Sequence, residues 1–221
     1  MIKAVLFDMD GILYDSMPSH VKAWKETMSL FGVEANLEEF YLYEGRTGAS
    51  TINILFNRTW GRDARPEEIE KIYAQKSKRF IELENSEPKP MTGAQDVLKK
   101  VKSLGLKRVI VTGSGQLSLI DKLQKDFPGY FEKDLMVTAY DVKFGKPHPE
   151  PYLMGLHKAE IQADEALVVE NAPLGVKSAK AAGIRTIAVN TGPLSNEVLL
   201  DAGANWIFPD MKTLAEHIED F

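Results

Sequence analysis

Two aspartates follow the first apolar segment of the chain. Asp8 and Asp10 come directly after residues 2–7, a run of mostly apolar, β-favouring residues that predicts a buried strand. A carboxylate in this position can attack phosphorus and form an aspartyl-phosphate. A second carboxylate beside it can protonate the leaving oxygen and then deprotonate the next nucleophile. The pair therefore suggests phosphoryl transfer, a hypothesis that the rest of the chain must support.

Further polar groups stand at the ends of three later predicted strands. They are Thr112, Gly113 and Ser114 around the end of residues 107–112, Lys146 after residues 135–138, and Glu170 with Asn171 at the end of residues 166–170. Ligands of open parallel sheets bind beyond the carboxyl ends of the strands, so we expect these groups to converge. Three carboxylates would repel one another without a hard cation, and oxygen ligands in a small site favour Mg²⁺. The hydroxyl and the lysine could hold the remaining phosphoryl oxygens.

Apolar segments alternate with helical patterns along most of the chain, which indicates a parallel sheet covered by helices. Six strands are predicted, at residues 2–7, 107–112, 135–138, 166–170, 186–190 and 205–208. Helical spacing occurs from residue 92 to residue 105 and in residues 117–125, 149–157, 173–182 and 211–218. We therefore predict an α/β fold with a Rossmann-like, three-layer core.

The segment from residue 16 to residue 87 interrupts this alternation. It contains helical patterns at residues 21–31 and 66–83 and no convincing strand. A chain of 221 residues with 44% hydrophobic content can bury one sizeable core and a smaller attached domain. We predict an α/β core domain formed by residues 1–15 and 88–221 and an inserted all-helical domain formed by residues 16–87. Residues 84–92, rich in turn formers, are the predicted return linker.

Four short motifs resemble those of the haloacid dehalogenase superfamily in order and spacing. They are Asp8-Met9-Asp10-Gly11, Thr112, Lys146-Pro147 and Glu170-Asn171. The resemblance covers the whole chain and implies that the helical insert is a mobile cap. It implies a nucleophile at Asp8, an acid/base at Asp10, phosphate holders at Thr112 and Lys146, and Mg²⁺ bound by Asp8, Asp10, Glu170 and Asn171. Dehalogenases of the superfamily lack the second aspartate, so Asp10 favours phosphate chemistry over carbon–halogen cleavage.

Within that superfamily, the chain resembles the β-phosphoglucomutase-like group. His20 falls where that group has a histidine at the start of the cap, and Lys76 falls near the group's cap lysine. Asn171, however, stands where the mutases have aspartate, and an amide is a weaker, uncharged metal ligand. Glu44 stands about where they have a lysine, and Gly48 about where they have a phosphate-binding arginine.

The cap segment EGRTGAST, together with VENAPLG and VTGSGQLSL, instead resembles a branch of the group that hydrolyses inorganic pyrophosphate. The resemblance implies that Glu44 reaches the metal site when the cap closes. Arg46 and Lys76 would then lie over a small substrate held by Gly113 and Ser114. Thr47, Gly48 and Ser50 could also start a helix whose free N–H groups face an anion.

The composition excludes several other classes of protein. The formal net charge is −5 and there is no long basic run, which disfavours a nucleic-acid partner. There is no run of about 18 apolar residues, so no membrane span is expected. The absence of cysteine rules out disulfides and is compatible with a reducing compartment. We expect a cytoplasmic monomer with a small phosphate-containing substrate.

Several candidate residues also have structural explanations. Residues 112–115 could form a simple turn or a dinucleotide loop, although Ser118 stands where the latter needs a third glycine. His20 could lie on the surface at a helix end. Lys76 could belong to a solvated helix face, because charged residues surround it. Arg46 could pair with Glu44 instead of binding phosphate.

The sequence therefore predicts a Mg²⁺-dependent phosphohydrolase, with inorganic pyrophosphatase as the preferred activity. β-Phosphoglucomutase and a small sugar-phosphate phosphatase remain as alternatives within the superfamily. A non-catalytic phosphoprotein-like switch is a further alternative, but a pure binding module would not need the second carboxylate at Asp10.

Overall fold

The computed structural model of the chain describes residues 1–83, 89–115 and 117–221. These residues form one six-stranded parallel sheet of strand order β3-β2-β1-β4-β5-β6. The strands are β1 Ala4–Phe7, β2 Lys107–Val111, β3 Met136–Val137, β4 Ala166–Glu170, β5 Arg185–Val189 and β6 Trp206–Phe208. All six predicted strands are present, with ends within two residues of those expected.

Strand β1 lies at the centre of the sheet, and its register with β2 and β4 brings the ends of the three strands to the same height. Phe7 is aligned with Ile110 of β2 and with Val169 of β4. The residues that follow these three positions therefore lie side by side at one edge of the sheet. This register brings the ends of β1, β2 and β4 together, as the sequence predicted.

The two faces of the sheet are covered by different helices, which makes the core three-layered. Successive residues of a strand point to opposite faces. Val5 and Phe7 accordingly belong to one hydrophobic cluster, whereas Ala4 and Leu6 belong to another. All four side chains are fully buried. The predicted α/β core is confirmed.

The described residues also form ten α-helices. Four lie within residues 16–87: α1 Met17–Leu30, α2 Leu37–Leu42, α3 Gly48–Trp60 and α4 Pro66–Leu83. The other six are α5 Ala94–Ser103, α6 Leu117–Asp126, α7 Glu150–Ala159, α8 Pro173–Ala181, α9 Asn196–Ala202 and α10 Met211–His217. Three-residue 3₁₀ turns occur at Lys133–Leu135, Ala163–Glu165 and Ile218–Asp220. No helix in the described ranges is long and apolar enough to cross a membrane.

Helices α1 to α4 pack together around a hydrophobic cluster of their own. Its buried members include Val21 and Met28 of α1, Leu55 and Phe56 of α3, and Ile72 of α4. This separate cluster agrees with the predicted helical insert, which we call the cap. The predicted return linker, residues 84–92, lies partly outside the described residues.

The sequence analysis did not predict the short helices α2 and α9. Helix α2 has six residues and begins after Asn36, whose side chain accepts a hydrogen bond from the backbone N–H of Glu39. This N-cap is a recognised start signal, but the helix is too short to show periodicity. Helix α3, in contrast, begins at Gly48, where Thr47 caps it and where a start was expected.

Candidate active site

Asp8 lies directly after β1, in a buried cluster of charges. Lys146 Nζ donates hydrogen bonds to Asp8 Oδ1 at 2.6 Å, to Glu170 Oε1 at 2.6 Å and to the carbonyl of Val111 at 3.0 Å. Burial raises the pKa of Asp8 to about 8, although Lys146 opposes the shift. Burial would lower the pKa of Lys146, but Asp8 and Glu170 outweigh it and raise that pKa. Lys146 is therefore a permanent positive charge beside the predicted nucleophile.

Glu170 holds Lys146 in this position from inside the protein. Its Oε1 also accepts a hydrogen bond from Tyr152 Oη at 2.7 Å. Its Oε2 accepts two backbone N–H groups of the following residues, at 3.0 and 3.1 Å. The carboxylate packs so closely on Gly175 that an added Cβ would lie 1.8 Å from Oε1. Donors within the protein bind both oxygens of the Glu170 carboxylate and hold it in place. The fixed carboxylate in turn orients Lys146.

Asp10 is held by residues at the start of the cap. Its Oδ1 accepts a hydrogen bond from Ser16 Oγ at 2.6 Å and lies 3.1 Å from His20 Nε2. Burial opposes ionisation of Asp10, but His20 and Ser16 outweigh it and lower its pKa. Asp10 is thus an ionised carboxylate with two partners.

A second link connects Asp10 to helix α4. His20 Nδ1 lies 2.6 Å from Lys76 Nζ, and the His20 ring stacks on Phe80. Burial lowers the pKa of Lys76 to about 7, with Asp10 opposing. His20 and Lys76 are 7% and 2% exposed, so neither lies on the solvated surface that was the alternative prediction. The three polar groups form a chain from the cap to Asp10, the predicted acid/base.

Glu44 reaches from the loop between α2 and α3 to the core. Asn171 Nδ2 donates a hydrogen bond to Glu44 Oε1 at 2.7 Å. Burial and the charge of Asp8 raise the pKa of Glu44 well above its ordinary range. The oxygen of the same amide, Asn171 Oδ1, is buried and receives no hydrogen bond from the described residues.

These groups fit a divalent cation. A cation would stabilise the ionised forms of Asp8 and Glu44, which burial disfavours, and would occupy the free lone pairs of Asn171 Oδ1. All are oxygen ligands, which suits Mg²⁺ better than softer metals. Asp8, Glu44, Asn171 and the backbone carbonyl of Asp10 are the residues that could hold it.

The cap is closed over the core at this site. An added Cβ at Gly113 would lie 2.3 Å from the carbonyl oxygen of Gly45, and one at Gly45 would lie 3.0 Å from Lys146 Cδ. The backbone N–H of Gly115 donates to Tyr73 Oη at 3.1 Å. Glycines on both sides permit this close approach, so the cap loop sits directly above the phosphate-holding residues predicted in the core.

A cavity of about 70 Å³ lies between the cap and the core. Nine predicted site residues line it: Asp8, Asp10, His20, Glu44, Arg46, Lys76, Thr112, Gly113 and Ser114. Lys146 and Asn171 stand behind this lining, where they contact Asp8 and Glu44 respectively, and Glu170 contacts Lys146. Sites for drug-sized molecules usually measure roughly 300–1,000 Å³, so the closed cavity suits a much smaller ligand. Trp24 and Phe40 pack in the cap cluster and also line this cavity.

Arg46 presents an unused donor to the same cavity. Its Nη1 donates to Ser50 Oγ at 3.2 Å, but its buried Nε has no acceptor among the described residues. Burial also lowers the pKa of this guanidinium. The described residues show no ion pair between Arg46 and Glu44, which was the alternative prediction. Arg46 is therefore available to an anion.

Tyr73 closes the side of the cavity next to Gly48. An added Cβ at Gly48 would lie 2.3 Å from two ring carbons of Tyr73. An arginine at this position, as in the mutase pattern, would have to displace the ring. The sequence analysis missed Tyr73, as well as Ser16 and Tyr152. Of these only Ser16 carried a signal, since it occupies the N-cap position of α1.

Comparisons with known proteins match the chain to a family of hydrolases. Residues 5–189 match the family model described as haloacid dehalogenase-like hydrolase. A solved structure called "Putative beta-phosphoglucomutase from Bacteroides vulgatus" is 54% identical, with a TM-score of 0.93 over 99% of this chain and 88% of that chain. The phosphorylated carbohydrates phosphatase of Thermotoga maritima is 30% identical over 92% of each chain. The protein called "Putative pyrophosphatase PpaX" of Caldanaerobacter subterraneus is 28% identical over 99% of this chain and 95% of that protein.

The TM-score of 0.93 shows that the chain shares the fold of the Bacteroides vulgatus structure. Because the family model covers most of the chain, the resemblance noted from its motifs is confirmed. The chain belongs to the haloacid dehalogenase-like hydrolase family.

Proposed function

We propose that the protein is a Mg²⁺-dependent inorganic pyrophosphatase that works through an aspartyl-phosphate on Asp8. The observation that carries the proposal is the position of Glu44 in the closed cap. Its carboxylate contacts Asn171 next to Asp8, over a cavity of about 70 Å³. An extra acid suits a compact, highly charged substrate that arrives with a metal ion, and it suits an uncharged hexose ring less well.

The first half of the reaction needs a nucleophile and a way to neutralise charge. When bound, Mg²⁺ would supply Lewis-acid stabilisation of the phosphoryl oxygens. Asp8 attacks one phosphorus, the bond from that phosphorus to the bridging oxygen breaks, and the other phosphate leaves. Lys146 offsets the negative charge that gathers there. Thr112 and Arg46 line the cavity and are placed to hold further phosphate oxygens. In this proposal Glu170, predicted as a metal ligand, contributes by orienting Lys146.

Asp10 serves both halves of the reaction. As an ionised carboxylate it is ready to deprotonate the water that cleaves the aspartyl-phosphate. The leaving group of pyrophosphate is itself a phosphate anion, which needs less protonation than a sugar alkoxide. Because its pKa is low, Asp10 is a weak proton donor, but pyrophosphate needs little proton donation in the first half of the reaction. His20 and Lys76 orient Asp10 and supply protons from the cap side.

Two alternatives rest on the comparisons. The 54% identical solved structure bears a β-phosphoglucomutase name, and the 30% identical relative acts on phosphorylated carbohydrates. A mutase must hold a sugar bisphosphate by its far phosphate, but Tyr73 fills the space beside Gly48 where the mutase arginine would stand. A sugar-phosphate phosphatase needs a larger cavity than the closed one.

A substrate panel tests the proposal. Purified protein with Mg²⁺ is given pyrophosphate, a set of sugar phosphates, and β-glucose 1-phosphate with and without a bisphosphate activator. We expect the highest kcat/KM with pyrophosphate. An efficiency no better than with the sugar phosphates would exclude pyrophosphate as the preferred substrate. Rapid formation of glucose 6-phosphate from β-glucose 1-phosphate would establish the mutase instead.

A further inference from the structure

Tyr73 joins the cap to the core beside the predicted phosphate holders. The residue lies on α4, and its Oη accepts a hydrogen bond from the backbone N–H of Gly115 at 3.1 Å. Its ring packs against Gly48, where α3 begins. Gly115 ends residues 112–115, which contain the predicted phosphate holders and which we call the phosphate loop. The hydrogen bond therefore crosses the boundary between cap and core at the substrate cavity, which Tyr73 lines.

A second tyrosine holds the same residue from the core side. Tyr140 Oη donates a hydrogen bond to the carbonyl of Gly115 at 3.1 Å. An added Cβ at Gly115 would lie 3.1 Å from Tyr140 Oη and 3.2 Å from Tyr73 Oη, so a glycine lets both hydroxyls approach. Tyr140 belongs to the core, and its bond does not depend on the position of the cap. The bond to Tyr73, in contrast, exists only while α4 lies against the phosphate loop.

The contacts at this boundary leave little room for movement. A donor and an acceptor about 3.6 Å apart no longer form a hydrogen bond, so a displacement of about half an ångström breaks the bond between Tyr73 and Gly115. A neighbouring contact is as close, because an added Cβ at Gly145 of the core would lie 2.8 Å from Thr47 Cγ2 of the cap. A ligand that holds the cap slightly open therefore costs the protein this bond.

The size of the ligand decides whether the cap can close this far. The closed cavity of about 70 Å³ has room for roughly five to seven waters. A phosphate ion or pyrophosphate is of that order of size, whereas a hexose phosphate is much larger. Trp24 and Phe40 line the cavity on the cap side, so a sugar ring would need the cap to move outward.

We infer that the hydroxyl of Tyr73 is a specificity latch, whose hydrogen bond to Gly115 forms over compact phosphate ligands and is broken by bulky ones. The latch stabilises only the closed complex of a small ligand, so it selects by size without contacting the sugar. Tyr73 is thus a positioning residue that acts through the phosphate loop. The inference rests on the proposed function in one respect, that the site closes over a phosphate group.

Binding of two ligands that are not hydrolysed tests the latch in the presence of Mg²⁺. Orthovanadate is the compact ligand, and the phosphonate analogue of glucose 6-phosphate is the bulky one. A hydrogen bond of ordinary strength corresponds to about 2- to 13-fold in an equilibrium constant. We expect Tyr73→Phe to raise the Kd of orthovanadate by about that factor and to leave the Kd of the phosphonate unchanged. Equal changes for both ligands, or no change for either, would overturn the inference.

Tyr140→Phe is the matched control, because it removes a hydroxyl from the same residue on the core side. Its bond persists whether or not the cap is closed, so we expect the Kd of both ligands to change by one factor. A selective loss of orthovanadate in this variant would show that the phosphate loop alone discriminates, which contradicts the role of Tyr73. Melting temperatures show whether both variants keep the fold.

Amide hydrogen exchange follows the latch directly at Gly115. In the unaltered protein with Mg²⁺, the N–H of Gly115 should exchange at least about fivefold more slowly with orthovanadate than with the phosphonate or without ligand. In Tyr73→Phe this difference should disappear. Equal exchange of this amide in all three states of the unaltered protein would refute the latch, even where the phosphonate binds too weakly for calorimetry.

The outcomes separate the latch from the proposed function. If orthovanadate does not bind with Mg²⁺, the phosphate site itself is wrong and the latch with it. If the latch is found but pyrophosphate is hydrolysed poorly, only the choice of substrate fails. If orthovanadate binds and Tyr73→Phe affects both ligands alike, only the latch is refuted.

Discussion

Replacing Glu44 should separate the activities that the relatives of this chain suggest. In the closed cap, Glu44 is the cap carboxylate that meets the core, where it accepts a hydrogen bond from Asn171 at 2.7 Å. If this carboxylate serves a metal–pyrophosphate complex, Glu44→Ala should weaken pyrophosphate turnover much more than turnover of sugar phosphates. If it only packs, both should change alike.

The expected size follows from the buried contact. A hydrogen bond to a charged group contributes about 1.5–3 kcal/mol, and each 1.4 kcal/mol or so corresponds to a factor of ten. We therefore expect kcat/KM for pyrophosphate to fall about 10- to 150-fold. The affinity for Mg²⁺ should fall as well, since one candidate oxygen ligand is lost.

Glu44→Gln distinguishes the charge of this residue from its shape. The glutamine carbonyl can still accept the hydrogen bond from Asn171, so a docking role alone would leave pyrophosphate turnover nearly intact. A role toward the cation predicts a loss similar to that of Glu44→Ala, together with weaker Mg²⁺ binding by calorimetry. Glu38→Ala is the matched control, because Glu38 is an exposed acid on α2 of the same cap.

The assay is phosphate release from pyrophosphate and from two sugar phosphates across a range of Mg²⁺ concentrations. The melting temperature of each variant shows whether the fold survives. Unchanged selectivity in Glu44→Ala, with the fold intact, would refute the assignment of this residue and remove the main support for pyrophosphate.

Other substitutions test other parts of the site. Asp8→Asn should abolish phosphate release while circular dichroism shows an intact fold. Tyr152→Phe should lower kcat and reduce the free energy of unfolding in urea by about 1.5–3 kcal/mol, because the buried Glu170 carboxylate loses a donor. Burial lowers the pKa of Lys76 from 10.5 to about 7, so the unfolded chain binds more protons between these values and stability rises with pH across them. Lys76→Met should remove that rise in urea titrations from pH 7 to 9.5.

The sheet and the core of the site were predictable because they follow from local patterns. Strands such as Ala166–Glu170 are buried along their whole length and read as continuous apolar runs. Since parallel strands deliver their ends to one edge, the meeting of Asp8 with Lys146 and Glu170 could be expected before any coordinates. The sequence pattern could not predict which neighbours each carboxylate side chain would contact. Glu170 points at Lys146 and Tyr152, although its residue type alone suits a metal ligand equally well.

Lys76 was predicted to lie over the substrate, and its burial had a local signal that the sequence analysis did not use. Its neighbours in sequence are charged, so a solvated helix face was a reasonable alternative. Ile72, Lys76 and Phe80 are spaced by four residues, however, and all three are buried on the same face of α4. A lysine in the apolar register of an amphipathic helix is a candidate for a buried role. The contact between Glu44 and Asn171 had no comparable local signal, because 127 residues separate its partners.

The point at which the cap enters the chain explains how closure and chemistry are coupled. Asp10 belongs to the core motif, but its hydrogen-bond partners Ser16 and His20 lie at the first turn of the cap, and Lys76 follows from α4. Any rotation of the cap that carries α1 and α4 away from the sheet must therefore alter the environment that lowers the pKa of Asp10. In the closed cap, His20 and Ser16 thus keep Asp10 ionised although it is buried away from bulk water.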